Sequence, residues 1–303
     1  MSNNGISEHD TRGPFWNEVQ SSTILRVVAG SQVHGTGVEQ QDDRDEMAVY
    51  IPSQERVLGL APMEHYRYRT RPEGVRSGPG DLDFVAYSLR KFARLACKGN
   101  PSVVQMLFVP NDMLIQCDAF GLQLMGARDL FVTKRVIRAY MGYMQHQLER
   151  LLGARGQKRV NRPELVEQYG FDTKFAYHVL RLGHEGLELA ETGALTLPIA
   201  EPMRSYLVGV RTGAVTLEEV EKRADEMLAD LEWMHGKSDL PEKPDMVKVD
   251  ALLTDMHIQW WGWRLTIGSI EADEAVENFD RWAAENAPEF EGLLDARQED
   301  PAG

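Results

Sequence analysis

The chain has 303 residues, of which 43% are hydrophobic and 26% are charged, and its formal net charge at pH 7 is −14. This composition predicts a soluble globular protein with one large domain or two ordinary ones. The acidic balance argues against an overall basic surface for nucleic acid, although a local basic groove is compatible with it. No apolar run approaches the roughly 18–20 residues of a membrane span, and the first fifteen residues lack the apolar core of a secretory signal. We therefore expect no membrane partner and a cytoplasmic location.

The first part of the chain mixes short strands with turns. Apolar runs with β-branched residues predict strands at 23–30 and 46–52, and a third candidate strand covers 82–89. A helix is predicted directly after it, with Gly99 as its natural end. Cys97 and Cys117 lack CxxC spacing, which predicts free thiols in a reducing compartment.

From about residue 110 onward the sequence pattern is helical. Amphipathic helices are predicted at 129–153, 173–193 and 216–236. Thr216 and Glu219 have the capping-box spacing at the start of the last of these. A proline-containing linker is predicted at 239–246. The three tryptophans of 259–264 are predicted to lie on a helix and to pack in a core or an interface. Residues 272–290 form the last predicted segment.

The segment GSQVHGTGVEQQDDRDEM, residues 30–47, lies between the first two predicted strands. Gly30 and Gly35 fit the beginning of a P-loop, but Thr36 stands where that motif requires lysine. The dinucleotide-binding glycine pattern and the EF-hand pattern are absent from this segment as well. The backbone N–H groups at Gly30 and Ser31, together with the serine hydroxyl, remain a candidate phosphate-binding group.

Asp43 and Asp45 open the second predicted strand. Because side chains alternate along a strand, both carboxylates would lie on one face, with Cα atoms about 6.6 Å apart. Two carboxylates on one face suit Mg²⁺, which prefers hard oxygen ligands and shares them with substrate phosphates.

The segment has a Gly-Ser pair, then about a dozen residues, then Asp-x-Asp on a strand. This order resembles the signature of the DNA polymerase β-type nucleotidyltransferases. The blocks at 88–108 and 171–195 resemble those of the RNA-ligase-associated (RlaP-like) nucleotidyltransferase family, and the HGTG…DDRDEM wording resembles its phage-encoded branch. The resemblance implies an α+β fold. A polymerase β-type catalytic domain with a short mixed sheet and helices would occupy 1–110, and a mainly helical domain, 111–303, would complete the active-site cleft.

The resemblance also implies three acidic ligands for two Mg²⁺ ions, which Mn²⁺ could replace. The first two positions fall on Asp43 and Asp45, and the third falls on Asp83, with Asp81 as the alternative. The family commonly has apolar residues beside the second aspartate, whereas this chain has charged ones, Arg44 and Glu46. That difference indicates either a solvent-exposed face or a binding function specific to this branch.

The implied reaction moves a nucleotide from an NTP to a hydroxyl acceptor with release of pyrophosphate, in a bacterial or phage-infected cell. An RNA end, such as that of a tRNA, is the favoured acceptor. Nucleotidylation of a protein side chain is the first alternative, and a non-catalytic nucleotide-binding or host-interaction protein is the second. The preferred nucleotide and the oligomeric state stay open.

One group of candidate residues lies on a single stripe of the helix predicted at 173–193. Lys174, His178 and Arg181 follow i, i+4 and i+7 spacing and are predicted to contact the nucleotide phosphates or the acceptor. The alternative is a polar face packed against the first domain. His34, inside the glycine-containing segment, is either functional or an ordinary turn residue.

A second group of candidates is a run of arginines beside two tyrosines. On a strand, Arg67, Arg69 and Arg71 would share one face and form a stripe that binds RNA phosphates. In an acidic protein the same run could instead be an ion-paired solvent face.

Overall fold

The structure is a computed structural model that describes residues 13, 15–37, 44–72, 75, 78, 80–153 and 162–269, with side chains as far as residue 262. The chain forms two compact units, Met1–Asp250 and Ala251–Gly303. The predicted division at residue 110 stays a prediction. The predicted segment 272–290 lies outside the described residues.

A mixed sheet forms the centre of the first part of the chain. Its strands are β1 Thr23–Val28, β2 Arg44–Tyr50, β3 His65–Arg69, β4 Leu82–Ser88 and β5 Leu114–Cys117. Their order in the described sheet is β3-β4-β2-β1-β5, with β2 parallel to β4 and the other neighbours antiparallel. The predicted α+β fold with a short mixed sheet is therefore confirmed.

Strand β5 lies in a stretch that the sequence pattern assigned to helix, so that prediction was wrong. The strand has four residues, too few to show the alternation that identifies a strand. It is held by backbone pairing with the buried β1, where Leu25 lies opposite Cys117.

Helices surround the sheet and continue beyond it. They are α1 Trp16–Ser21, α2 Gly30–Val33, α3 Gln54–Leu58, α4 Leu89–Ala96, α5 Pro101–Val104, α6 Ala119–Gly126, α7 Lys134–Leu152, α8 Pro163–Tyr169, α9 Thr173–Thr192, α10 Met203–Arg211, α11 Leu217–Lys237 and α12 Met246–Ser269. Helices were correctly predicted after the third strand and at α7, α9 and α11, and the capping box of Thr216 and Glu219 is present. None of the described helices is long and apolar enough to cross a membrane.

The two faces of the sheet differ in chemistry. On one face, a core cluster includes Tyr66, Tyr68 and Phe84, and Trp16 packs against these rings at centroid distances of 5.3–6.0 Å. Because side chains alternate along a strand, Asp83 lies on the opposite face from Phe84. The sheet therefore buries its aromatic face and turns its candidate catalytic carboxylate the other way.

Helix α9 is the central helix of the following part and packs against α7, α10 and α11. The close approach depends on Gly183, where an added Cβ would lie 2.7 Å from Met227 Sδ and 3.0 Å from Met144 Sδ. The side chains of α9 are thus carried on a closely packed helix.

Both cysteines are free, as predicted. Burial raises the pKa of the Cys97 and Cys117 thiols, which keeps them protonated at neutral pH. The helix predicted around the three tryptophans is also confirmed as part of α12, and Trp260 is buried.

Candidate active site

The glycine that begins α2, two residues after the end of β1, lies directly against a candidate metal ligand. Gly30 has φ +65°, a left-handed conformation that residues with a side chain rarely adopt. A Cβ added to Gly30 would lie 2.1 Å from Asp45 Oδ2, and the preceding amide, that of Ala29, donates to the Asp45 carbonyl at 2.9 Å. Only glycine fits here, because both the backbone conformation and the neighbouring carboxylate exclude a side chain.

Asp45 and Asp83 are direct neighbours across the sheet. The parallel register of β2 and β4 places Asp45 opposite Asp83, on strands whose usual spacing is about 4.8 Å. From the edge strand, Arg69 Nε donates to Asp83 Oδ1 at 2.9 Å and orients that carboxylate. The structure therefore places Asp45 beside both Gly30 and Asp83, and a catalytic role for the three residues stays a prediction.

Asp81, the alternative third ligand, is already used by the turn before β4. Its carboxylate accepts hydrogen bonds from Arg71 Nε at 2.9 and 3.1 Å, from Thr70 Oγ1 at 3.0 Å, and from the Gly78 amide at 3.0 Å. The Arg71 bond, followed by the Gly78 amide, lowers the pKa of Asp81. This geometry favours Asp83 over Asp81, although a role for either in metal binding stays a prediction.

Asp43 lies outside the described residues, so the structure does not place it. Among the side chains that are described, no three His, Cys, Asp or Glu residues form a cluster suited to a metal ion. The donors that are placed, Asp45 and Asp83, are nevertheless hard carboxylates in register on one face, the chemistry that Mg²⁺ prefers. The Asp43–Asp45–Asp83 metal site remains a prediction with which this pair is compatible.

The charged neighbours of Asp45 form an ion-pair network on the core side of the sheet. Glu46 is 1% exposed, and Arg26 Nη2 and Arg44 Nε each lie 2.5 Å from its carboxylate. Arg26 also bonds Gln20 and lies over the Phe84 ring, 4.8 Å from its centroid. The alternative of a solvent-exposed face is therefore wrong for Glu46, whose charge is balanced internally.

Arg67 and Arg69 alternate with the tyrosines along β3, whereas Arg71 lies beyond the end of that strand, and two of the three arginines are paired with carboxylates. Arg69 and Arg71 form ion pairs with Asp83 and Asp81, both at 2.9 Å, whereas Arg67 is exposed. The two tyrosines between them, Tyr66 and Tyr68, point to the other face and are buried in the aromatic cluster. These two tyrosines therefore do not stand beside the arginines, and an acceptor-binding role for Arg67, Arg69 and Arg71 stays a prediction.

The three predicted phosphate contacts on α9 occupy different environments. Arg181 is 8% exposed, and its Nη1 donates to both Glu185 oxygens at 2.7 and 2.9 Å. Burial, reinforced by the charges of Arg181 and Lys174, holds the pKa of His178 well below its usual range. Lys174 lies in the first turn, half-buried. The environment of Arg181 fits the alternative interpretation, a polar face of α9 that is packed against other residues. Nucleotide contact by the three residues stays a prediction.

Sequence reasoning missed the partners of His34. The His34 ring is 4% exposed and meets Glu185, Arg181 and Gln105, all buried. A usable signal was present, since Arg181 and Glu185 form an i, i+4 charge pair among the apolar residues of α9.

A carboxylate pair in register on a mixed sheet, with one carboxylate packed against Gly30, agrees with the resemblance to the DNA polymerase β class. Residues 11–255 match the family described as "RlaP: RNA repair pathway DNA polymerase beta family". Because the match covers most of its length, the chain belongs to this family.

Two other similarities extend this finding. The chain is 25% identical over 138 residues to the "Uncharacterized 38.9 kDa protein in nrdC-mobD intergenic region" of Enterobacteria phage T4. That alignment covers 45% of this chain and 40% of the T4 protein, which agrees with the predicted resemblance to a phage branch. A crystal structure of a nucleotidyltransferase-like protein from Exiguobacterium sibiricum 255-15 matches with 12% identity and a TM-score of 0.28. That match covers 75% of this chain and 74% of the other, and at this TM-score it supports no conclusion.

Proposed function

We propose that the protein transfers a nucleotide from an NTP to a hydroxyl group at an RNA end, with release of pyrophosphate. The observation that carries the proposal is the Asp45–Asp83 register beside Gly30, because this transfer needs carboxylates and a phosphate-binding backbone in one place. The family description, which refers to RNA repair, supports RNA as the acceptor.

In the proposed reaction the acceptor oxygen attacks the α-phosphorus of the NTP. The bond from that phosphorus to the bridging oxygen of the β-phosphate breaks, and pyrophosphate leaves. Two Mg²⁺ ions, held by Asp43, Asp45 and Asp83, would neutralise the phosphate charge and make the acceptor hydroxyl more acidic. Asp83 takes the hydroxyl proton, and Arg69 keeps its carboxylate oriented.

The phosphate chain of the NTP is assigned to the turn at Gly30 and Ser31. The backbone N–H groups at Gly30 and Ser31 are the proposed phosphate donors, and the Ser31 hydroxyl adds another. Lys174, half-buried in the first turn of α9, remains a candidate for the same phosphates. We leave Arg181 out of this set because its guanidinium is buried against Glu185.

The test is to incubate the protein with each α-³²P-labelled NTP and Mg²⁺, together with total cellular RNA or total cellular protein. The proposal predicts a labelled RNA band with one or more of the four nucleotides, and loss of the label when EDTA removes Mg²⁺. No labelled product in either acceptor pool, with Mg²⁺ or Mn²⁺, would contradict a transferase activity.

A protein side chain is the second candidate acceptor. Two of the three arginines proposed to bind RNA are neutralised by Asp81 and Asp83, and the chain as a whole carries a charge of −14. Both facts weaken attraction to a polyanion. Label that appears in protein and resists nuclease treatment would establish this second candidate in place of RNA.

A further inference from the structure

A buried charged network joins helix α9 to the turn that is assigned to the nucleotide. Arg181 and Glu185 form its ion pair, with Arg181 Nη1 2.7 Å from Glu185 Oε1. The same carboxylate oxygen lies 3.0 Å from His34 Nε2, which also lies 3.2 Å from Gln105 Oε1. All four side chains are at most 8% exposed. Nε2 of the His34 imidazole is therefore held by Glu185, Gln105 and Arg181.

His34 is electrically neutral in this environment. Burial lowers the pKa of its imidazole and the nearby Arg181 charge acts in the same direction, while Glu185 and the backbone of Gly30 oppose them only in part. For Glu185, burial alone would raise the pKa, but the Arg181 charge and the His34 hydrogen bond outweigh it and bring the value to about 2. The network thus contains one balanced charge pair and a neutral imidazole. His34 is the C-cap residue of α2, the four-residue helix that begins at Gly30, and the Thr36 amide donates to the Ser31 carbonyl at 3.0 Å.

The two residues after His34 are fixed by the same group of helical elements. Gly35 has φ +67°, and a Cβ there would lie 2.8 Å from Pro198 Cβ. Thr36 is fully buried, its hydroxyl lies 2.8 Å from the Tyr177 hydroxyl, and Arg211 Nη1 donates to its carbonyl. Three consecutive residues of the segment that begins at Gly30 are therefore held from outside the sheet.

Such a network is a poor source of stability. Burying two charges costs as much as their attraction returns, and apolar residues of similar volume serve a core as well or better. A buried ion pair between α9 and this segment serves mainly to fix the position of the His34 imidazole, because hydrogen bonds are directional and apolar packing is not.

We propose that Arg181 and Glu185 are positioning residues for NTP binding, which hold the Gly30–Ser31 turn in its phosphate-binding conformation through His34. This inference rests on the proposed function, in which that turn binds the NTP phosphates. It assigns Arg181 an indirect role, at a distance from the phosphates that it was predicted to touch. Without the network, the turn would occupy its competent conformation for only part of the time, and apparent affinity falls by that fraction.

The experiment measures the dissociation constant of Mg²⁺·NTP by isothermal titration calorimetry, with melting temperature recorded in parallel. The four NTPs are first compared on the wild-type protein, and the tightest is used throughout. One variant replaces both charges with apolar residues, Arg181→Met with Glu185→Leu, which avoids an unpaired buried charge. A second, His34→Leu, breaks the connection and leaves the ion pair intact. The matched control removes the exposed α11 pair, Arg223→Gln with Glu226→Gln.

The proposal predicts about a tenfold weaker NTP affinity in both the double variant and His34→Leu, with the control unchanged. A triple variant that adds His34→Leu to the double variant should bind NTP no more weakly than the double variant, because all three changes break one connection. His34→Gln, whose amide can still donate to Glu185, should recover part of the affinity.

Wild-type affinity in folded His34→Leu would overturn the proposal, and so would wild-type affinity in the folded double variant. If the double variant does not fold, His34→Leu decides the matter alone. A wild-type protein that binds none of the four NTPs would instead overturn the proposed function itself, so the two failures are distinguishable.

Discussion

Replacing Gly30 with alanine tests the contact between the glycine turn and the candidate metal ligand. The left-handed conformation at φ +65° should cost an L-residue about 1–2 kcal/mol of folding stability. The new Cβ would lie 2.1 Å from Asp45 Oδ2, so the carboxylate would have to retreat by about 0.9 Å to reach the 3.0 Å that real Cβ contacts respect. A misplacement of about 1 Å in a catalytic site can lower a rate about 100-fold.

The matched control is Gly170→Ala. Gly170 has φ +85°, but a Cβ there would meet no atom within 4 Å, so the backbone cost is similar and the steric contact is absent. Both variants should lose about 1–2 kcal/mol in urea denaturation followed by circular dichroism. Only Gly30→Ala should lose transfer of the α-³²P label, by about 100-fold. Transfer within threefold of wild type in folded Gly30→Ala would refute the argument that this contact belongs to the active site.

Three further predictions follow from the ion pairs and buried histidines. Arg69→Ala should slow transfer about tenfold, because Asp83 loses the partner that orients it. The free energy of unfolding should change by less than about 1 kcal/mol, since the Arg69–Asp83 pair is about a quarter exposed. Unchanged single-turnover rates would show that Asp83 needs no orientation by Arg69. Stability should fall as pH drops below about 6.5, because the pKa of His34 and that of His178 are lowered in the folded protein and the unfolded chain takes up those protons first. His34→Gln should reduce this slope in thermal melts between pH 7 and 5, and an unaltered slope would contradict the buried neutral imidazole. Arg67→Ala should lower the salt dependence of RNA binding by about one counterion, because Arg67 is exposed and is the member of the stripe that is not paired with Asp81 or Asp83. An unchanged slope would move the protein acceptor ahead of RNA.

Strands β1, β2 and β4 were predictable because they lie in apolar runs with β-branched residues, whereas β3 and β5 have no such run. Asp45 and Asp83 could be chosen in advance from the Asp-x-Asp pattern and from the apolar neighbours of Asp83. Their register could not, because it depends on the parallel pairing of β2 with β4, which are separated in sequence by the edge strand β3. Local pattern identifies a strand but does not specify its partner.

The buried partners of the turn were harder to foresee. His34 and Glu185 are 151 positions apart in sequence, and their contact exists only once α9 has packed beside the sheet domain. The pairing of Arg69 and Arg71 with aspartates was equally hidden. A run of arginines has the same sequence pattern whether it faces a nucleic acid or neighbouring carboxylates, and only the cross-strand position of Asp83 separates the two.

The central claim is that Asp45 and Asp83 form the core of the transfer site, and single-turnover transfer of α-³²P-labelled NMP with Mg²⁺ tests it most directly. Asp45→Asn and Asp83→Asn should each lower the rate at least about 10²–10³-fold, the loss typical of one missing electrostatic contact, while both remain folded. Asp81→Asn, which alters only the turn before β4, should keep a rate within a few-fold of wild type. Normal Mg²⁺-dependent transfer by Asp45→Asn or Asp83→Asn would contradict the claim.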